Sequence, residues 1–241
     1  MTRQENTGGV EILDAQRTHW ESAFSARADM FGEAASDPAR KAADLFKQEG
    51  VSGVLELGSG QGRDTLFFAG EGFLVHAADY SGSGLEAIRQ KAADCGVESR
   101  VSTTVHDIRL PLPFADATFD ACFSHMLFCM ALTSAELQAL TAEIRRVLRP
   151  GGLCVYTARH TRDAHYGAGI HRGEGMYEMG GFIVHYFDRE KVEKLAQGFE
   201  IVGIDEFEEG GLPRKLFRVT LRKRVPESGS GVDSDRSTSS S

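Results

Sequence analysis

Residues 54–64 read VLELGSGQGRD, an apolar run that meets a carboxylate and then breaks into glycines at every second position, Gly58, Gly60 and Gly62. Valine and leucine suit a strand buried on both faces of a parallel sheet. Glycines in the turn let the backbone that opens the next helix approach a ligand with no Cβ in the way. Strand, glycine turn and helix in that order constrain the chain to an α/β fold, with a nucleotide-like ligand beyond the strand's carboxyl end.

The details choose among such ligands. Dinucleotide loops follow G-x-G-x-x-G, where the third glycine lets a helix pack closely around a pyrophosphate. Here Arg63 stands at that position and Gly62 comes one residue early. Glu56, just ahead of the turn, would repel a pyrophosphate and attract a cation. This disfavours a nicotinamide oxidoreductase and favours a ligand with an ammonium group. On these residues the chain resembles class I S-adenosylmethionine-dependent methyltransferases, whose first motif is an apolar strand followed by E/D-x-G-x-G-x-G.

The remaining elements fall in a compatible order. Asp37-Pro38 looks like an N-cap with proline at the first helical position, and Gly50 ends that helix. Arg63–Ala69 suits a helix and Phe73–Ala78 a second buried strand closed by Asp79. Ser83-x-x-Glu86 is a capping-box pattern, Val101–His106 a third strand ending at Asp107, and Phe119–Met126 a fourth. Thr133-x-x-Glu136 caps a helix that Arg149-Pro150-Gly151-Gly152 stops sharply, and Leu153–Tyr156 begins a fifth strand. Asp188 opens a last helix, and 199–207 and 216–221 read as an edge hairpin. In the second of these, Phe217, Val219 and Leu221 alternate with Arg218, Thr220 and Arg222, so one face should meet solvent.

Pro111–Phe119 with Asp120 resembles the family's "lPf-d-fD" stretch, and LRPGG at 148–152 its motif before the fifth strand. The resemblance runs from about Leu45 to Leu221. It implies a Rossmann-like, seven-stranded methyltransferase sheet, mostly parallel with an antiparallel edge strand and helices on both faces. It also implies S-adenosylmethionine as cofactor. Glu56, Gly58, Gly60 and Gly62 would hold its amino-acid portion, Asp79 its ribose, and Asp107 with Ile108 its adenine, with Tyr80 also binding the cofactor. Ser124 and His125 would touch the adenosine and border the acceptor. The aromatic N-terminal segment, the GQGRD string and a late glycine-histidine insertion give a layout similar to tellurite-resistance and thiopurine methyltransferases. A noncatalytic S-adenosylmethionine sensor or partner subunit is the alternative.

A chain of 241 residues has room for one domain with tails. The expected division is an N-terminal cap segment over 1–36, a domain over 37–223 and a disordered tail over 224–241. The cap carries Arg17, His19, Trp20, Phe24 and Phe31, read as a hydrophobic plug or a lid. Residues 226–241 are too serine-rich and aliphatic-poor to fold. A net charge of −8 argues against a nucleic-acid partner, no apolar run spans a bilayer, and Met1–Val10 lacks a signal peptide's apolar centre. A cytoplasmic protein with a small-molecule acceptor is the expectation. Cys95, Cys122, Cys129 and Cys154 have no C-x-x-C spacing and read as buried free thiols, with a thiol site for a soft element such as arsenic as the alternative.

Methyl transfer from a sulfonium rests on alignment and exclusion of water, and needs a base only when the nucleophile holds a proton. After the fourth strand stands SHMLF, not the N/D-P-P-Y/F of many base methylases. Residues 158–187 hold six glycines and His160, His165, His171 and His185. This stretch is too long for an ordinary connection and is read as a lid insertion on the ligand rim. No recognised metal-ligand spacing occurs in it, so no metal is expected. His125, His165, Tyr166 and His185 are the candidate acceptor-side catalytic residues, with Tyr186 beside the last, and 180–184 a possible short β insertion.

Overall fold

The computed structural model describes residues 7–27, 30, 32–210 and 214–225. Phe31 of the N-terminal aromatic cluster and the serine-rich stretch 226–241 lie outside the described residues.

Helices α1 (Thr7–Ala26) and α2 (Asp37–Gln48) lead into β1 (Gly53–Leu57), α3 (Arg63–Gly70), β2 (Leu74–Asp79), α4 (Gly82–Asp94), β3 (Val101–Val105) and β4 (Phe119–Ser124). Then follow α5 (Ser134–Val147), β5 (Leu148–His160), the short strands β6 (Ile170–Gly173), β7 (Met176–Met179) and β8 (Phe182–Phe187), α6 (Arg189–Leu195), β9 (Phe199–Glu209) and β10 (Arg214–Lys223). Seven strands form the main sheet in the order β3-β2-β1-β4-β5-β10-β9, parallel except for β10. Strand order reverses between β1 and β4, so a ligand crevice opens beyond the carboxyl ends of those two strands.

Both sheet faces are covered, which is why the central strands read as continuous apolar runs. Val54, Phe123 and Val155 point into a core with Phe46 of α2 and Phe68 of α3. Their neighbours Leu55, Cys122 and Cys154 point the other way, against Leu137 and Ile144 of α5. Glu56 falls on the α2–α3 side by the same period of two, and is buried there.

Several local expectations change. Ser36, not Asp37, caps α2, its hydroxyl accepting from Ala39 N–H at 3.1 Å, and Pro38 follows one place later than predicted. Ser81, not Ser83, caps α4, because Asp79 ends β2 and leaves Ser81 as the first extended residue with a free hydroxyl over Gly84 N–H. β5 begins at Leu148, immediately after α5 and ahead of the Pro150-Gly151-Gly152 stop; a Cβ on Gly152 would lie 2.8 Å from the Arg149 carbonyl. β10 does not present a solvent face: it lies between β5 and β9, and Thr220 is buried with Phe217, Val219 and Leu221. Cys95 is exposed at the end of α4, whereas Cys122, Cys129 and Cys154 are buried free thiols. The capping box Thr133–Glu136 and the Asp188 cap form as read.

The N-terminal segment holds a 20-residue helix where the sequence showed only an aromatic cluster. The insertion holds three strands. Above the end of β4, β8 takes over that strand's lane, pairing in parallel with Arg159 and His160 of β5. Antiparallel β7 and β6 continue from it as a small sheet over the carboxyl rim. Among the described residues no helix is long and apolar enough to cross a membrane.

Candidate active site

The turn after β1 is built on backbone that side chains disfavour. Gly58, Gly60 and Gly62 have φ of +74°, +53° and +87°. A Cβ on Gly58 would lie 2.9 Å from Leu127 Cβ, and one on Gly62 2.4 Å from Ile88 Cγ1. Gly62 therefore lets α3 approach α4, the packing role that a dinucleotide loop gives to its later glycine. Gly60 N–H donates to Asp79 Oδ2 at 2.9 Å, and Ser81 N–H to Asp79 Oδ1 at 2.9 Å, so this carboxylate ties the loop to the end of β2.

The loop's surroundings favour a cation. Burial, then the neighbouring carboxylates Asp64 and Asp79, push the Glu56 carboxyl well above its ordinary range, against the hydroxyl of Thr65, which donates to it. Burial also raises Asp79, in part offset by the N–H groups of Ser81 and Gly60. Ser59 Oγ, inside the glycine turn, is buried and has no hydrogen-bond partner among the described residues. A polar, cationic ligand held by backbone and small side chains fits these groups, and the amino-acid portion of S-adenosylmethionine is such a ligand.

The other rim residues fall into two sets. Asp79, half-buried Tyr80, Asp107 and Ile108 follow one another along the ends of β2 and β3. Asp107 is gripped by Arg109, whose Nη2 lies 2.6 Å from Oδ2, and this pairing holds its carboxyl below the usual range. Ile108 packs into the core below. Ser124 corrects the sequence reading: it has no exposed surface, and its hydroxyl donates to the Leu57 carbonyl at 3.0 Å, joining β4 to β1 in place of facing a ligand.

His125 stays at the rim. Its Nδ1 is 2.9 Å from Thr157 Oγ1, an atom to which Met126 N–H donates at 2.9 Å, and its Nε2 is 3.4 Å from Glu209 Oε2. Met126 itself sits at φ +63°, strained backbone of the kind that marks functional turns. The His125 ring holds Glu209 below the ordinary carboxylate range. Glu209 escaped sequence reasoning, since nothing in the acidic run EFEE separates it from its neighbours.

α1 covers this rim. Phe24 lies 3.5 Å from where a Gly60 Cβ would be, and Gln61 Nε2 donates to the Phe24 and Arg27 carbonyls at 3.1 and 2.5 Å. Ser83 N–H donates to Glu21 at 3.3 Å. On its other side α1 holds the insertion: Gln16 Nε2 donates to the Gly181 carbonyl at 2.8 Å and its Oε1 accepts from Ile183 N–H at 3.0 Å. His19 and Trp20 meet the ring of Phe182 at 4.2 and 4.7 Å between centroids. Two cavities of about 180 and 270 Å³ lie away from the rim, one beside Gly50, Asp120 and Arg149, the other between α5 and α6.

The insertion's candidates part company. His165 and Tyr166 are accessible: His165 Nδ1 is 3.4 Å from Asp163, and Tyr166 meets the rings of Tyr177 and Tyr186 edge-on. Tyr186 is buried beneath the Arg159 guanidinium. His185 is fully buried and cannot serve as an acceptor-side base. Nδ1 lies 2.7 Å from the Leu132 carbonyl, while Nε2 lies 2.8 Å from the Glu174 carbonyl and also meets Lys191 Nζ. Burial and then Lys191 lower the ring's pKa, against the carbonyls of Leu132 and Glu174. Because the folded pKa is depressed, the stability this group contributes is complete above its unfolded value of roughly 6.5 and is lost as pH falls from there toward the folded value. Chemical denaturation at pH 7.5 and 5.5 should show a larger acid loss in wild type than in His185→Gln, whose amide retains a donor for Leu132; equal losses would remove His185 from this role.

The strand order, with the glycine turn and the acidic residues at the ends of β2 and β3, gives the Rossmann-like fold of the solved methyltransferases that the chain resembles. The family model described as "Methyltransferase domain" matches residues 54–152. A malonyl-[acyl-carrier protein] O-methyltransferase of Erwinia pyrifoliae is 34% identical over 107 residues, covering 43% of this chain and 36% of the relative. The chain spans less than half the length of the curated relatives it matches. Among solved structures, the Burkholderia thailandensis 1,6-didemethyltoxoflavin-N1-methyltransferase superposes with a TM-score of 0.69 at 20% identity, covering 93% of each chain. TehB from Haemophilus influenzae gives 0.62 at 16% identity, covering 85% of this chain and 67% of that one. These two likenesses are of fold.

Proposed function

We propose that the chain transfers a methyl group from S-adenosylmethionine to a small-molecule nucleophile. The observation that carries this reading is the glycine turn with Ser59 Oγ buried and unpartnered beside Glu56 and Asp79, two buried carboxyls that a cation would relieve. In this reading Glu56 and the turn at Gly58, Gly60 and Gly62 hold the amino-acid portion, Asp79 and Tyr80 the ribose, and Asp107 and Ile108 the adenine, with His125 toward the acceptor. The domain is 37–223, α1 is its lid and 158–187 its roof. The acceptor named for the toxoflavin enzyme, 1,6-didemethyltoxoflavin, is a small molecule and supports the acceptor class. Four free thiols suit a reducing compartment, and the acidic charge suits neither nucleic acid nor an anionic surface. The reading is therefore of a cytoplasmic enzyme.

Calorimetric titration with S-adenosylmethionine and S-adenosylhomocysteine, followed by an acceptor screen read by S-adenosylhomocysteine release, tests this reading. No binding would sink it; binding without release across thiols, tellurite, arsenite, phenols and heterocycles would favour the sensor alternative. Asp79→Ala should weaken binding by about 2 kcal/mol, roughly thirtyfold, because it removes ligand hydrogen bonds and also the acceptor that fixes Gly60. An unchanged affinity would take Asp79 out of the site.

A further inference from the structure

We infer that Glu209 is the acceptor-side general base, and that the methyl acceptor is a nucleophile bearing a proton, an amine or a hydroxyl. This rests on the methyl-transfer reading above.

The argument is one of hydrogen-bond direction. Met126 N–H can only donate, so Thr157 Oγ1 accepts from it and has its own proton to give. An ionised Glu209 facing His125 Nε2 at 3.4 Å requires a proton on that nitrogen. The other ring nitrogen, Nδ1, then faces the Thr157 hydroxyl across 2.9 Å, and Thr157, already accepting from Met126, donates its own proton there. The chain runs Met126 N–H to Thr157, Thr157 O–H to His125, and His125 Nε2–H to Glu209. Every group before the last has both roles filled, so His125 has no lone pair for an acceptor; it is a positioning residue. Glu209 alone ends the chain with acceptor capacity remaining, and its side chain is 26% exposed.

Its place is set by the sheet. Leu216 of β10 is level with both Arg159 and Phe207, so Glu209 stands beyond the last residues of β5 and reaches back over the rim to His125. His125 follows Ser124, whose hydroxyl holds Leu57, the residue before the glycine turn. The charged groups facing Glu209 are His125 after β4, Arg63 at the start of α3 and Arg214 on β10. A carboxylate at this point can take a proton from a nucleophile directed at the methyl group. The acceptor's lone pair forms the new bond to carbon as the carbon–sulfur pair stays on sulfur. The electron pair of the acceptor's N–H or O–H bond remains on the acceptor, and its proton passes to Glu209 and then to solvent at the exposed edge.

Three measurements test this. The ¹⁵N shifts of His125 in the wild-type protein should report the proton on Nε2; a proton on Nδ1 overturns the chain. With amine and phenol acceptors, Glu209→Gln should lose about a hundredfold or more in kcat. The KM for S-adenosylmethionine and calorimetric binding of S-adenosylhomocysteine should stay within about twofold. That loss should shrink across a phenol series as the acceptors become ionised at the assay pH. Undiminished kcat, a loss independent of acceptor ionisation, or turnover confined to thiols, tellurite or arsenite overturns the inference while leaving methyl transfer intact. Wild type that binds neither cofactor form, or binds and turns nothing over, overturns it together with that reading or in favour of the sensor alternative.

Discussion

Asp163→Ala is expected to destabilise the protein by about 3–5 kcal/mol, the cost of leaving a buried charge without its partner. The Asp163 side chain has no exposed surface and the Arg159 side chain only 7%. Arg159 Nη2 meets Asp163 Oδ1 at 2.7 Å and its Nε meets Oδ2 at 3.2 Å, a two-point pairing. The same carboxylate accepts from the N–H groups of His165 and Lys215, at 2.9 and 2.8 Å. Burial opposes its charge, but the guanidinium and the two N–H groups prevail and hold the carboxyl below its usual range. Truncation therefore strands a buried guanidinium and two backbone donors at once. Urea unfolding would read the loss as a lower midpoint at unchanged slope. Adding Arg159→Met to Asp163→Ala should recover part of it, since an apolar pair avoids the uncompensated charge. A single variant within about 1 kcal/mol of wild type would mean that water enters this junction freely.

Gly62→Ala should cost about 2–5 kcal/mol through two separable effects. At φ +87° an L side chain carries a conformational penalty of roughly 1–2 kcal/mol, and the added methyl would sit 2.4 Å from Ile88 Cγ1, an atom near its backbone that cannot swing clear. Overpacking of this kind costs about 1–3 kcal/mol more. Gly72 supplies the control: its φ is +100°, yet nothing lies within 4 Å of the place a methyl would take there. Gly72→Ala should thus show the conformational penalty alone, and the difference between the two midpoints gives the cost of the α3–α4 contact. Equal midpoints would show that Ile88 yields without cost. Loss at Gly62 should also reach the ligand turn, because α3 begins at the next residue.

What the sequence made legible was local or repetitive. The two-sided burial of β1 and β4 is written as continuous apolar runs, the capping box at Thr133 as a four-residue pattern, and the glycine turn as three small residues. What stayed hidden depends on contacts between distant segments. α1 is held by Gln16 and Gln61, through bonds that span 165 and 37 residues. His185 has the chemistry of a base, and only its burial between Leu132 and Lys191 removes it from that role. Glu209 and Glu208 are the same residue type side by side. Alternation along β9 turns one toward His125 and the other toward Lys215, and no sequence pattern reports which.

One helix touches both halves of the site, the glycine turn through Gln61 and Phe24 and the insertion through Gln16 and Trp20. In the proposed reading, where the turn holds the donor and the insertion roofs the acceptor, any release of α1 would loosen both sides together. Whatever factor a bound donor adds to the acceptor's affinity through α1, a bound acceptor adds to the donor's, because binding linkage is reciprocal. On that reading, donor and acceptor would come to depend on each other through a segment that belongs to neither pocket.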